Sequence, residues 1–124
     1  LRLYGADDED TIIDAINLAD SLIGAKLFEE ARALVRDYIP VARRTLDDGH
    51  EHTLELWSNY AQAIYSDTSS SRSDVHEAVA ILEDVLRTTR RVFGTSHPNF
   101  MEFGRYLENA RMRLADDESR AADA

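Results

Sequence analysis

Few residues in this sequence have the types and spacing to do chemistry. His50-Glu51-His52 offers two imidazoles and a carboxylate, the donors of a zinc or related divalent site. On a helix, however, side chains two apart point in different directions, and no third donor stands at a recognised ligand spacing. A turn or capping role at a helix start explains the tripeptide better, and His97 stands in an equivalent turn. Asp7-Asp8-Glu9-Asp10 lies just ahead of a helical pattern, where carboxylates favour the helix dipole. It lacks the spaced oxygens and the glycine of a calcium loop. Asp47-Asp48 and Asp116-Asp117-Glu118 read as solvated element ends. No nucleophile elbow, phosphate-cradling loop or carboxylate pair on an apolar pocket can be assembled. The expectation is no catalytic residue, no metal and no cofactor.

Composition narrows the classes further. Absence of cysteine excludes disulfide scaffolds, thiolate metal sites and cysteine nucleophiles. The 24 acidic against 14 basic residues give a formal charge of −10, which repels phosphate backbones and disfavours nucleic acid as a partner. Thirteen of the basic residues are arginine, Lys26 being the one lysine, a bias we read as genomic background. No apolar run reaches the ~18–20 residues of a membrane span, and the N-terminus lacks the basic-then-apolar layout of a secretion signal. The sequence therefore reads as a soluble chain without membrane insertion, cytoplasmic by default.

The elements that would position any site are helices. Two prolines and five glycines fall mostly between stretches with apolar residues three and four apart. Ile12, Ala15, Ile16, Ala19, Leu22 and Ile23 make one face, ending near Gly24. Phe28, Ala31, Leu34, Val35, Tyr38 and Ala42 make a second, with a kink expected at Pro40. Leu54, Trp57, Tyr60, Ala61, Ile64 and Tyr65 make a third, followed by a polar loop over 66–74. Ser73 or Asp74 is expected to cap a fourth helix bearing Val75, Ala78, Val79, Leu82, Val85, Leu86 and Thr89. A fifth opens at Pro98 with Phe100, Phe103, Leu107 and Leu114, and residues 116–124 read as a disordered acidic tail.

Self-similarity outranks these local readings. Thr11, Asn17 and Ala19 recur 42 residues later as Thr53, Asn59 and Ala61. Glu30-Ala31 recurs 47 later as Glu77-Ala78, so five residues have been inserted, and the 66–74 loop is that insertion. Leu3-Tyr4-Gly5, Thr45-Leu46-Asp47 and Val92-Phe93-Gly94 open three copies. The resulting division is 1–10 for the end of a preceding repeat with a helix cap, 11–44 for repeat 1, 45–91 for repeat 2, and 92–115 for a half repeat acting as a C-terminal cap.

The turn pieces Tyr4-Gly5 with Thr11, His50 with Thr53-Leu54, and Phe93-Gly94 with His97-Pro98 come in a fixed order with other matches. These are Asn17-Leu18-Ala19 and Asn59-Tyr60-Ala61 on first helices, then Phe28-Glu29-Glu30-Ala31 and Val75-His76-Glu77-Ala78 on second helices. Together they resemble tetratricopeptide repeats, in particular the longer kinesin-light-chain-like variety. The resemblance implies an all-α fold, a right-handed superhelical stack of antiparallel helix pairs with about five helices. It also implies packing roles for Leu18, Ala19, Phe28, Ala31, Trp57, Tyr60, Ala61, Val75 and Ala78. The third copy departs from the pattern, with Tyr106 in place of Asn and Glu108 in place of Ala, so the fifth helix is expected to expose its outer face. An uncovered first helix would leave Ile12, Ile13 and Ile16 facing water.

By the family pattern, first helices line a concave groove that accepts a peptide or helix of a partner protein. Asn17, Asn59 and Tyr106 occupy one row, and Asp20, Gln62 and Asn109 follow one turn on. Ile16, Ser58 and Arg105 make a further row, with Ile13, Glu55 and Glu102 beyond it. Neutral amides there can bond a peptide backbone. Acceptors of acidic chaperone tails in this superfamily carry cations in these rows, where this chain has Ile16, Asp20 and Glu102. An acidic tail is therefore an unsuitable partner, and a neutral or basic one fits better. The expected function is a non-catalytic interaction scaffold. The alternatives are an accessory subunit docking end to end or self-associating through its terminal helices, and a regulatory segment of a larger signalling protein.

Overall fold

The computed structural model describes residues 9–123. They form five helices: α1 (Glu9–Gly24), α2 (Phe28–Thr45), α3 (Glu51–Ser66), α4 (Arg72–Phe93) and α5 (Pro98–Asp123). The expected turn at Tyr4-Gly5 and most of the 1–10 segment lie outside these residues. Each helix packs on the next, and α3 additionally touches α1 and α5. α2 and α4 share no contact. The array therefore curves, with α1, α3 and α5 on its inner side and α2 and α4 fanned apart on its outer side. This is an all-α solenoid of stacked helix pairs.

Local chemistry sets the ends. α1 closes on Lys26, in the left-handed conformation at φ 64°, with the Leu27 amide donating to the Leu22 carbonyl at 2.8 Å. α4 closes on Gly94 at φ 86° and ψ 173°, whose own amide reaches the Thr89 and Arg90 carbonyls. α2 runs unbroken through Pro40, which is exposed, where the missing amide leaves no buried partner unpaired. The cap of α4 is Ser71, not Ser73 or Asp74: its hydroxyl accepts the Asp74 amide at 3.0 Å. The α3–α4 loop is correspondingly shorter than expected, because both flanking helices extend into the polar run.

Alanines make the stack possible. Ala15, Ala19, Ala31, Ala42, Ala61, Ala63, Ala78 and Ala110 are fully buried and let backbones approach. Val35, Ile39 and Leu56 fill one core cluster with Ile12 and Ile16, so these isoleucines are covered by α2 and α3 rather than facing water. Leu82, Ile64 and Leu107 anchor a second cluster, and Tyr60 packs against both because α3 lies between α2 and α4. Leu18, its equivalent on α1, is 39% exposed instead of packed, since α1 has a described neighbour on one side only. Phe28 and Trp57 are half-buried, and Val75 is fully buried. As expected, α5 exposes an outer stripe, with Met101, Arg105, Glu108 and Met112 all open. The residues expected to be a disordered tail instead continue α5 to Asp123.

Candidate interaction face

Three first helices line the concavity, and each turns a stripe of equivalent positions toward it. Asn59, expected in the groove, belongs to the packing beneath it: it is 4% exposed, and its Nδ2 donates to the Ile16 carbonyl of α1 at 3.5 Å. Ile16 and Ser58 are buried as well, at 5% and 2% exposure. These rows join one first helix to the next. Arg105, in the same row as Ser58, is exposed and shares the outward stripe of Met101, Glu108 and Met112. Asn17, the equivalent of Asn59, is exposed on α1.

The rows left open are those of Asp20, Gln62 and Asn109, and of Ile13, Glu55 and Glu102. Burial first, and the charge of Glu102 second, raise the Asp20 carboxyl above its ordinary pKa. Asp20 is on α1 and Glu102 on α5, with α3 between them, so curvature brings carboxylates of non-adjacent helices within electrostatic reach. Glu55 on α3 is also raised, chiefly by burial, against a hydrogen bond from His52, with Glu51 and Asp20 adding repulsion. Tyr106 donates its hydroxyl to Glu102 Oε1 at 2.7 Å and shares a hydrogen bond with Gln62. Burial, then Glu102, pushes this phenol far above its ordinary value. Asn109 bonds Tyr65, whose phenol burial also raises. The face thus sets Asp20 within repulsive reach of both Glu55 and Glu102, among tyrosines and amides.

One edge of this face carries the histidines. His50 Nδ1 accepts the His52 amide at 3.1 Å and caps α3, and His97 Nδ1 accepts the Asn99 amide at 3.0 Å at the equivalent turn. Glu9 of α1 reaches both imidazoles, 3.9 Å from His50 Nε2 and 3.5 Å from His52 Nε2. His52 Nδ1 lies 3.2 Å from Glu55. Glu51, His52 and Glu55 bring three ligand-type atoms within 4.8 Å of one another. Sequence spacing missed the third donors. Glu55, three residues after His52, was legible as an i,i+3 neighbour, whereas Glu9 arrives only through the α1–α3 packing. The capping bond occupies one nitrogen of His50, so the cluster's evident work is to tie the first turns of α1 and α3 together.

Residues 66–99 match the family described as tetratricopeptide repeat. Over that stretch the chain is similar to a tetratricopeptide repeat. Neither the curated proteins nor the solved structures gave a match. The matched segment comprises α4 with the turns on both sides, including the His97-Pro98 pair. The repeat's opening turn is held from outside by Arg113 of α5. Its Nη1 donates to the carbonyls of Tyr65 at 2.8 Å and Asp67 at 2.9 Å, and its Nη2 to Ser70 at 3.1 Å. Its Nε meets Asp117 at 3.0 Å, the two side chains being only 15% and 12% exposed. Loss of solvent raises the Asp117 pKa, but hydrogen bonds from Arg120 and Arg113 outweigh it and hold the carboxyl below its ordinary value. Asp117 is thus held by two arginines of its own helix, where α5 continues past Asp116. Among the described residues no helix is long and apolar enough to cross a membrane.

Proposed function

We propose that the protein is a non-catalytic scaffold that holds a peptide or helix of a partner protein along the concave face of α1, α3 and α5. Tetratricopeptide repeats supply interaction scaffolds in general. The observation that carries the finer reading is the open pair of rows, Asp20, Gln62 and Asn109 with Ile13, Glu55 and Glu102, backed by rigid packing at Asn59, Ile16 and Ser58. A firm backing lets the face bind without an ordering cost of its own. The kinesin-light-chain-like turn pattern supports the same reading.

The test is selection of twelve-residue peptides from an unbiased display library, followed by amide chemical-shift mapping of the selected binders. Shifts concentrated on α1, α3 and α5 and abolished by Gln62→Ala/Asn109→Ala support the groove. Shifts confined to α4 and the outer stripe of α5 would move the function there. That outcome would favour the docking alternative, for which Met101 and Met112, 74% and 60% exposed, are the supporting observation. Sedimentation at tens of micromolar then distinguishes a self-associating chain from one that meets a different partner.

A further inference from the structure

The distribution of charge partners separates the concave face from the rest of the surface. Away from the groove, several carboxylates meet arginines: Asp48 with Arg43 at 2.6 Å, Asp84 with Arg87 at 3.0 Å, Glu83 with Arg111 at 3.0 Å, and Asp117 with Arg113 and Arg120. Inside it the pattern reverses. Asp20, Glu55 and Glu102 come from three different helices, and no arginine or lysine among the described residues pairs with any of them. Glu102 is met by a tyrosine hydroxyl and Glu55 by His52. The chain has thirteen arginines, and none among the described residues pairs with these positions. A concave wall of low polarisability focuses such a field into the space it encloses.

We propose that the concave face selects a basic segment, an extended or helical peptide whose lysine or arginine side chains are spaced to reach Asp20, Glu55 and Glu102. The proposal rests on the reading that this face is the binding surface, and it names the chemistry of the occupant. Carboxylates that repel one another, Asp20 against Glu55 and Glu102, gain most from a cation brought by a partner, because the partner relieves the repulsion as well as supplying attraction. Gln62, Asn109 and Tyr106 flank the carboxylates with neutral hydrogen-bonding groups suited to a peptide main chain. Arginine suits the site better than lysine, since its planar fork can engage a carboxylate bidentately.

The experiment uses the peptides selected above, fluorescein-labelled, with binding read by anisotropy at two salt concentrations. Binders mapped to the concave face are expected to be enriched in arginine and lysine. Replacing their basic residues by glutamine should weaken binding at least tenfold. Asp20→Asn/Glu55→Gln/Glu102→Gln should weaken the original peptides to the same degree with an unchanged far-UV circular dichroism spectrum. A control of equal charge change off the groove, Glu29→Gln/Glu30→Gln/Glu77→Gln, should change affinity less than twofold. Concave-face binders without basic residues, or equal losses in the groove and control variants, would overturn the selectivity while leaving the groove reading intact. Absence of any concave-face binder would overturn both.

Discussion

The α3–α4 turn and the concave face both bring several oxygen acceptors together, and they satisfy them in opposite ways. At the turn, one guanidinium from α5 reaches three main-chain carbonyls and the Asp117 carboxylate, all at hydrogen-bond distance. Asp67 in the same turn is held below its ordinary pKa, first by hydrogen bonds from the Ser69 hydroxyl and amide, with Arg32 and Arg113 assisting. On the concave face no guanidinium among the described residues pairs with Asp20, Glu55 or Glu102, and the carboxyls of Asp20 and Glu55 are raised instead. A stack of helix pairs needs its turns fixed so that each pair presents the next, whereas an inner face that binds a partner, as proposed, must leave interactions open. Internal pairing of charge locks the first, and its absence keeps the second available.

The largest effect belongs to the turn. Arg113→Ala is expected to destabilise the fold by about 3 kcal/mol, since several charge-assisted hydrogen bonds vanish and the carbonyls they satisfied lose their partner. Thermal unfolding checks this, and a loss below about 1 kcal/mol would show that the pinning is incidental. Ser71→Ala isolates the local part of the same turn and should cost about 1 kcal/mol, the usual worth of a hydroxyl N-cap.

Dependence on pH gives the comparison a sign. Asp117 has a lowered folded-state pKa, so its contribution is present above the ordinary value of 3.8 and is lost as pH falls through the folded value. The stability gap between wild type and Arg113→Ala should therefore narrow on acidification below about pH 4. Asp20 and Glu55 are raised, so ionisation opposes folding above their folded values, and the penalty disappears as pH falls to 3.8 and 4.5, their ordinary values. Asp20→Asn/Glu55→Gln should be more stable than wild type at pH 7 by a few tenths of a kcal/mol, small because solvent screens both groups. That advantage should shrink toward pH 4, as urea titrations at several pH values can follow. An advantage independent of pH would trace the effect to packing rather than charge.

Much of this was legible in the residues. Thr11 and Ala19 returning as Thr53 and Ala61 marked buried positions shared by α1 and α3, and the alanines marked where backbones meet. Glu108 in place of a small residue correctly announced an open outer stripe on α5. Other readings failed for identifiable reasons. Asn59 has the polarity of a groove residue, but its partner is a carbonyl 43 residues away, a distance along the chain at which no local pattern operates. The 116–124 segment has the composition of a frayed end, yet α5 continues to Asp123, with Asp117 paired to Arg113 and Arg120. Ser73 and Asp74 are good cap residues on type alone, yet Ser71 takes the role because its extended backbone aims the hydroxyl at the Asp74 amide.

Periodicity and residue size by themselves determined that this chain is helical, that its helices repeat in pairs, and that small side chains mark their crossings, because these follow from backbone geometry and local sterics. Which carboxylates go without an arginine partner was decided only by the tertiary structure. Charge pairing depends on distance through space, and only the curvature of the stack sets Asp20 and Glu102 near one another across α3 while carrying Arg113 to the turn before α4.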